Sequence, residues 1–124
     1  MVSKMTIKEI LNDLIKIEDI EACLFEMYIP TGRKIISSEG IKLKNLALWE
    51  LIKGLTGDLF SISKELYAHG LTKSYFELKE HEVIMSFLGP TTALIVVIPS
   101  LANRGLIEVE MENAKRMILE VMEA

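Results

Sequence analysis

Hydrophobic positions along the 124-residue chain alternate between the three-to-four-residue spacing of helices and short uninterrupted apolar runs. A first helix is predicted to begin at Thr6, because Thr6 and Glu9 form a capping-box pattern ahead of an apolar stripe. A long helix is predicted over Leu43–Ala68, and Gly70 supplies its stop signal. A last helix is predicted over Asn103–Met122.

Five strands are predicted between these helices, with short turn segments separating them. They cover Ala22–Ile29, Lys34–Ser38, Leu71–Lys79, Glu82–Leu88 and Thr92–Ile98. The first, fourth and fifth strands are apolar at nearly every position, which is typical of strands covered on both faces. The second and third strands are therefore predicted at the edges, and adjacent hairpins then give the sheet order 2-1-5-4-3.

The predicted fold class is an α/β three-layer sandwich with the element order α-β-β-α-β-β-β-α. The five-stranded antiparallel sheet is expected to carry the long helix on one face and the two terminal helices on the other. The chain, residues 1–124, is expected to form a single domain.

The long helix carries two neighbouring apolar stripes, more than one contact with a sheet requires. The leucine stripe, expected to form the core contact, is Leu48, Leu51, Leu55, Leu59, Ile62 and Leu66. The aromatic stripe is Trp49, Ile52, Thr56, Phe60 and Tyr67. The aromatic stripe either flanks the core contact or packs against a partner helix. Gly54 and Gly57 favour a partner, since a mid-helix glycine costs about 1 kcal/mol relative to alanine; the alternative is local flexibility or a break there.

The third predicted strand alternates in polarity and contains no proline, so its edge invites pairing with another chain. A second copy could add its own third strand across a two-fold axis, unless Lys73 and Lys79 protect the edge. Because the edge and the long helix border the same side of the domain, a dimer using both is predicted. The predicted interface residues are Trp49, Ile52, Gly54, Thr56, Gly57, Phe60, Tyr67, Lys73, Tyr75 and Glu77.

Composition narrows the function classes. A net charge of −4 and a pI near 5.2 argue against nucleic-acid binding. Hydrophobic residues make up 50% of the chain, and this excess must be buried within the fold or against a partner. No apolar run approaches the ~20 residues of a membrane span, so no integral membrane segment is expected. The single Cys23 excludes an internal disulfide and favours a cytoplasmic location, with the thiol buried and inert.

Candidate catalytic chemistry is sparse. His69 and His81 lack metal-ligand spacing to each other or to Cys23, and no phosphate-binding glycine loop is present. The acidic residues Glu108, Glu110 and Glu112 lie in the early turns of a helix, where negative charge is favourable. No catalytic, cofactor-binding or metal-binding site is therefore predicted, and the chain is not expected to be an enzyme.

Basic residues cluster around the second strand at Arg33, Lys34, Lys42 and Lys44. A solvated edge explains this cluster, and the alternative is contact with an acidic partner or a lipid headgroup. Arg104 precedes the last helix and could also point outward. Arg33, Lys34 and Arg104 are the predicted partner-binding residues.

The chain resembles the Roadblock / dynein light chain domain over nearly its whole length. The resemblance is carried by the last strand and the turn Ala102-Asn103-Arg104-Gly105-Leu106, where the family tends to have alanine-asparagine-x-glycine. Gly32 lies where the family usually has aspartate-glycine, but here Thr31 replaces the acidic residue and Pro30 precedes it.

The resemblance implies a non-enzymatic adaptor that forms a dimer with itself or with a paralogous Roadblock domain. Family members join third strands and pack second helices together, and known roles include regulating or scaffolding Ras-like small GTPases. The expected function is therefore binding and regulation of such a GTPase, which would supply its own nucleotide. A structural scaffold or motor-type adaptor indifferent to nucleotide is the main alternative, and a small-molecule sensor is a third.

Overall fold

The computed structural model describes residues 5–123 and contains the predicted elements in the predicted order. The helices are α1 (Ile7–Leu14), α2 (Leu46–Tyr67) and α3 (Arg104–Glu123). The strands are β1 (Ala22–Ile29), β2 (Gly32–Ser37), β3 (Lys73–Glu77), β4 (His81–Gly89) and β5 (Thr92–Pro99). The main difference in bounds is at β3, which is shorter than the predicted segment.

The five strands form one antiparallel sheet in the order β2-β1-β5-β4-β3, which confirms the predicted topology. The central strands β1, β5 and β4 are buried along most of their length, whereas β2 and β3 are largely exposed or half-buried. Continuous apolar runs therefore correspond to strands that are covered on both faces.

Successive side chains of the central strands enter two separate cores, because side chains alternate across a sheet. Phe25, Leu94 and Val96 pack with α1 and α3, whereas Leu24 and Ile95 pack with α2. The long helix thus covers one face and the terminal helices cover the other, as predicted.

Local capping explains where the helices begin. The Thr6 hydroxyl accepts the N–H of Glu9 and the Glu9 carboxylate accepts the N–H of Thr6, which confirms the capping box. The Asn45 side chain accepts the N–H of Leu48 at 3.0 Å and starts α2. From there α2 continues unbroken through Gly54 and Gly57, so a break in the helix is excluded.

The rotation of α2 about its own axis differs from the predicted one. The aromatic stripe faces the sheet, with Trp49, Ile52 and Phe60 buried. The expectation that the leucine stripe forms the core contact is therefore wrong for its four exposed members, whereas Leu48 and Leu59 are half-buried against this core. The Phe60 ring stacks on Tyr28 at 4.7 Å and lies 5.5 Å from the Phe87 ring. Large flat rings bury more apolar area in this contact than leucines would, which favours the observed rotation.

Candidate functional site

The rotation of α2 leaves an apolar surface exposed, here called the leucine face. Its members on α2 are exposed by 47–70%, and Leu78 beyond the end of β3 by 37%. The leucine face consists of Leu51, Leu55, Ile62, Leu66 and Leu78. Large apolar side chains gathered on one surface, unlike scattered ones, mark sites of protein association.

A groove of about 300 Å³ connects the leucine face of α2 to β3. Leu51 and Leu55 form one wall, and Phe76 and Leu78 form the other. The hydroxyl of Thr56 also lines the groove, but it donates to the Ile52 carbonyl of its own helix at 2.9 Å. The groove is therefore suited to apolar side chains rather than to a polar ligand.

The strand next to this groove has an unpaired edge. The N–H of Phe87 donates to the Thr72 carbonyl, and the N–H of Leu78 donates to the His81 carbonyl. Hydrogen-bonded and non-bonded positions alternate along antiparallel strands. The backbone groups of the even-numbered residues in this segment are therefore the ones that form hydrogen bonds with β4. The backbone N–H and C=O groups of Lys73, Tyr75 and Glu77 therefore point away from the sheet.

On its other flank, α2 is fixed by a buried ion pair. Glu26 of β1 is 0% exposed, and its carboxylate accepts a hydrogen bond from the Arg33 side chain of β2. Arg33 Nη2 also donates to the Lys53 carbonyl of α2 at 2.6 Å, and the Tyr28 hydroxyl donates to the Gly57 carbonyl at 2.6 Å. Arg33 therefore joins the sheet to the helix, and its predicted role as an outward partner contact is wrong.

Burial raises the pKa of Glu26 above its usual value near 4.5, and the bonds from Arg33 oppose part of this shift. This cluster was not predicted from the sequence. A glutamate inside an otherwise apolar strand was the available signal, because a buried carboxylate needs a partner.

Arg33 also explains why residue 57 is glycine. A Cβ at Gly57 would lie 2.5 Å from the guanidinium carbon, whereas a Cβ at Gly54 would meet nothing within 4 Å. Arg33 cannot swing away cheaply, since its guanidinium holds the buried carboxylate of Glu26. The bare backbone of Gly57 therefore accommodates a side chain of the same chain, not the partner helix that was predicted.

These two glycines provide a matched pair of substitutions. Gly57→Ala is expected to lower the free energy of unfolding by about 1–3 kcal/mol, because the new methyl group displaces Arg33. Gly54→Ala is expected to raise it by about 0.5–1 kcal/mol through helix propensity alone. Urea denaturation at equal protein concentrations measures both, and equal stabilisation by the two alanines would contradict this packing.

A polar network ties β3 and β4 to α3 on the opposite face of the sheet. Lys73 Nζ lies 3.2 Å from the Glu112 carboxylate, and the Tyr75 hydroxyl donates to Glu108. The Arg104 guanidinium pairs with Glu82 and lies over the Tyr75 ring, 4.9 Å from its centroid. Arg104 nevertheless remains exposed, with 44% of its side chain accessible, so its predicted role as an outward contact stays a prediction. The bond to Glu108 raises the pKa of the Tyr75 hydroxyl.

The structure separates the predicted interface residues into three groups. Trp49, Ile52, Thr56, Gly57 and Phe60 are buried within the chain, so their assignment to an intermolecular surface is wrong. Tyr67 is half-buried against the α2 core, and Gly54 faces open space. Lys73, Tyr75 and Glu77 lie on the free edge of β3. Among the predicted partner-binding residues, Lys34 on β2 and Arg104 at the start of α3 are exposed.

The remaining candidates for reactive or metal-ligating side chains include Cys23 and His81. Cys23 is fully buried, as predicted, and burial raises the pKa of its thiol to about 11, which disfavours the reactive thiolate. His81 Nδ1 lies 3.3 Å from Glu21. Within residues 5–123, no group of three or more metal-ligating side chains is found. Over the same residues, no helix is long and apolar enough to cross a membrane.

No protein-family model matches the chain, and no curated protein matches it either. Solved structures do match it over nearly its whole length. A Roadblock/LC7 domain from Streptomyces avermitilis is 12% identical, with 98% of this chain and 100% of that chain covered and a TM-score of 0.69. Myxococcus xanthus MglB is 16% identical, with 94% of each chain covered and a TM-score of 0.67.

A structure of MglB with a tetrameric arrangement is 13% identical to this chain. The match covers 99% of this chain and 95% of that chain, with a TM-score of 0.65. TM-scores at this level over nearly the whole chain establish a shared fold, which agrees with the sheet order and helix placement described above. The chain has the fold of the Roadblock/LC7 domain.

Proposed function

We propose that this chain is a dimeric adaptor that binds a Ras-like small GTPase and regulates or scaffolds it. The observation that carries the proposal is the leucine face, which continues through the groove to the free edge of β3. An apolar surface beside an unpaired strand suits association with another protein, because both features favour exclusion of water.

The choice of a small GTPase rests on the resemblance to the Roadblock family and on the shared fold. In such a complex the GTPase contributes the nucleotide, and the adaptor acts by binding one nucleotide state better than the other. This role requires a surface and a stable fold but no catalytic group on the adaptor.

The alternative function, a structural scaffold or motor-type adaptor, uses the same leucine face. It differs only in that its binding does not depend on the nucleotide state of a partner. A small-molecule sensor is less well supported. Ligand pockets usually combine apolar walls with a few convergent polar groups, and the groove beside β3 has only the self-bonded Thr56 hydroxyl.

The test begins with tagged protein as bait in native extract, loaded in parallel with GDP or a non-hydrolysable GTP analogue. An enriched small GTPase is then purified and titrated in both nucleotide states. The regulator proposal predicts affinities that differ by at least about fivefold between the states. Equal affinities would replace regulation by scaffolding, and failure to enrich any GTPase would contradict the proposed partner.

A further inference from the structure

The second strand forms the other edge of the sheet, and the outer side of this edge is also unpaired. The N–H of Ser38 donates to the Cys23 carbonyl, so Ser38 occupies a hydrogen-bonded position opposite β1. Because such positions alternate along antiparallel strands, the even-numbered residues of β2 bond to β1. The backbone N–H and C=O groups of Arg33, Ile35 and Ser37 therefore point away from the sheet, where an extended segment can add as a further strand.

Positive charge is concentrated in the segment that forms this edge. Residues 33–44 include four basic side chains and a single acidic one, Glu39, in a chain whose net charge is −4. Glu39 is already paired with Lys8 of α1 at 3.3 Å. Lys34 and Lys44 are exposed and form no ion pair among residues 5–123. The segment therefore presents positive charge that no acidic side chain compensates.

Hydrogen bonds beyond the end of β2 keep the lysines along the same line. After β2 the chain leaves β1 and returns to it, where the N–H groups of Lys42 and Leu43 both donate to the Glu21 carbonyl. Lys44 follows directly and is exposed. Lys34 within β2 and Lys44 beyond its end therefore place cations near both ends of the edge.

The side chains along this edge define what an added strand must carry. Directly opposite residues share a face of the sheet, so Ile35 lies with Glu26 on the face covered by α2, and Lys34 lies with Met27 on the other face. The Ile35 side chain is 36% exposed. Apolar pairs and opposite charges across neighbouring strands both stabilise pairing. The matching segment therefore alternates apolar β-branched residues, next to Ile35, with acidic residues, next to Lys34.

The two free edges of the sheet differ in charge. At β3, Lys73 already lies 3.7 Å from Glu108 and 3.2 Å from Glu112, so its charge is compensated within the chain. At β2, the lysines have no such acidic neighbours. An acidic strand is therefore directed to β2, whereas a second copy of β2 is disfavoured because it brings the same positive segment against this one.

We propose that the edge of β2 binds an acidic extended segment of another protein by strand addition. An anionic membrane surface matches the charge but leaves the outward N–H and C=O groups of Arg33, Ile35 and Ser37 without a strand partner. The inference goes beyond the proposed function, because β2 and β3 form opposite edges of the sheet and the leucine face is not involved.

Hydrogen exchange measured by NMR tests this edge residue by residue. The probe is a short capped peptide in which valine and glutamate alternate, and the control peptide has lysine in place of each glutamate. The glutamate peptide should slow exchange of the Arg33, Ile35 and Ser37 amides at least about fivefold. The amides of Lys34 and Ile36 already bond to β1 and should change little. The lysine peptide should produce no such alternating pattern.

Two pairs of variants separate strand addition from loss of the fold. Ile35→Pro removes an outward N–H without removing a bond to β1 and should abolish peptide binding, whereas Ile35→Val keeps that N–H and should bind normally. Lys34→Glu should weaken binding of the glutamate peptide at least about fivefold and transfer the preference to the lysine peptide. Lys64→Glu makes the same charge change on α2 and should stay within about twofold of wild type.

The contradicting results are distinct from those of the GTPase test. Slowed exchange confined to β3, equal binding of the two peptides, or no binding of the glutamate peptide would each overturn the proposal. Binding to vesicles of phosphatidylserine and phosphatidylcholine, with no slowed exchange at Arg33, Ile35 and Ser37 in the presence of the glutamate peptide, would assign the basic segment to a lipid surface instead. None of these measurements depends on the nucleotide state of a GTPase.

Discussion

Replacing Arg33 with leucine is expected to lower the free energy of unfolding by about 3–5 kcal/mol. The change leaves the fully buried carboxylate of Glu26 without its cation and removes the bond from Arg33 to the Lys53 carbonyl. Breaking one side of a buried ion pair costs far more than the pair itself contributes, since the remaining charge cannot reach water. Urea denaturation at pH 7 measures the loss.

The loss should depend on pH in a defined direction. Burial already raises the folded-state pKa of Glu26 above 4.5, and removing Arg33 raises it further. A carboxyl with a raised folded-state pKa favours the folded chain below its unfolded value, and this contribution is lost as pH rises through the folded pKa. The variant should therefore be closest to wild type near pH 4.5 and furthest from it at neutral pH.

A paired substitution provides the control. Glu26→Leu combined with Arg33→Leu removes both charges and should recover most of the lost stability, because apolar side chains of similar size can replace a buried pair. A single Arg33→Leu variant that loses equal stability from pH 5 to pH 8 would contradict the proposed cause.

Introducing aspartate into the leucine face should convert the proposed dimer to monomers. Leu55→Asp and Ile62→Asp each remove apolar burial from both copies and add a charge to the contact. At about 1.5–3 kcal/mol for each buried side chain, the dissociation constant should rise at least about 100-fold. Sedimentation or light scattering over a concentration series measures the change.

The controls for these two variants follow from how exposed the substituted side chains are in the single chain. Leu55 and Ile62 are already exposed, so their aspartate variants should retain the fold. Ser61→Asp places the same charge on α2 outside the leucine face and should leave the oligomeric state unchanged. Phe60→Glu would instead bury a charge beside Tyr28 and unfold the chain, because Phe60 is buried in the core. Dimers that persist in both leucine-face variants would place the interface elsewhere.

Much of the architecture could be predicted because it depends on local patterns. Strands buried on both faces, such as Ala22–Ile29, are recognisable as continuous apolar runs. Hairpins with short turns leave few ways to arrange neighbouring strands, so the sheet order followed. The capping box at Thr6 likewise involves only residues three positions apart.

The surface that we propose for association was predicted from the sequence only in part. The free edge of β3 was correctly recognised, because alternating polarity without proline is a property of one strand. The helix side chains were assigned to the wrong surface, because the two apolar stripes of α2 are adjacent and similar in hydrophobicity. A glycine in the middle of α2 at Gly57 indicated a close contact there. Its position in the sequence could not reveal that Arg33 is the residue that makes this contact.

The sequence by itself determined the elements, their order and the edge strands, since each depends on residues close together in the chain. Only the tertiary structure decided how α2 is rotated on the sheet. That rotation depends on contacts between distant residues: Phe60 with Tyr28 and Phe87, and Arg33 with Glu26 and Gly57. Those contacts bury the aromatic stripe and leave the leucine face exposed.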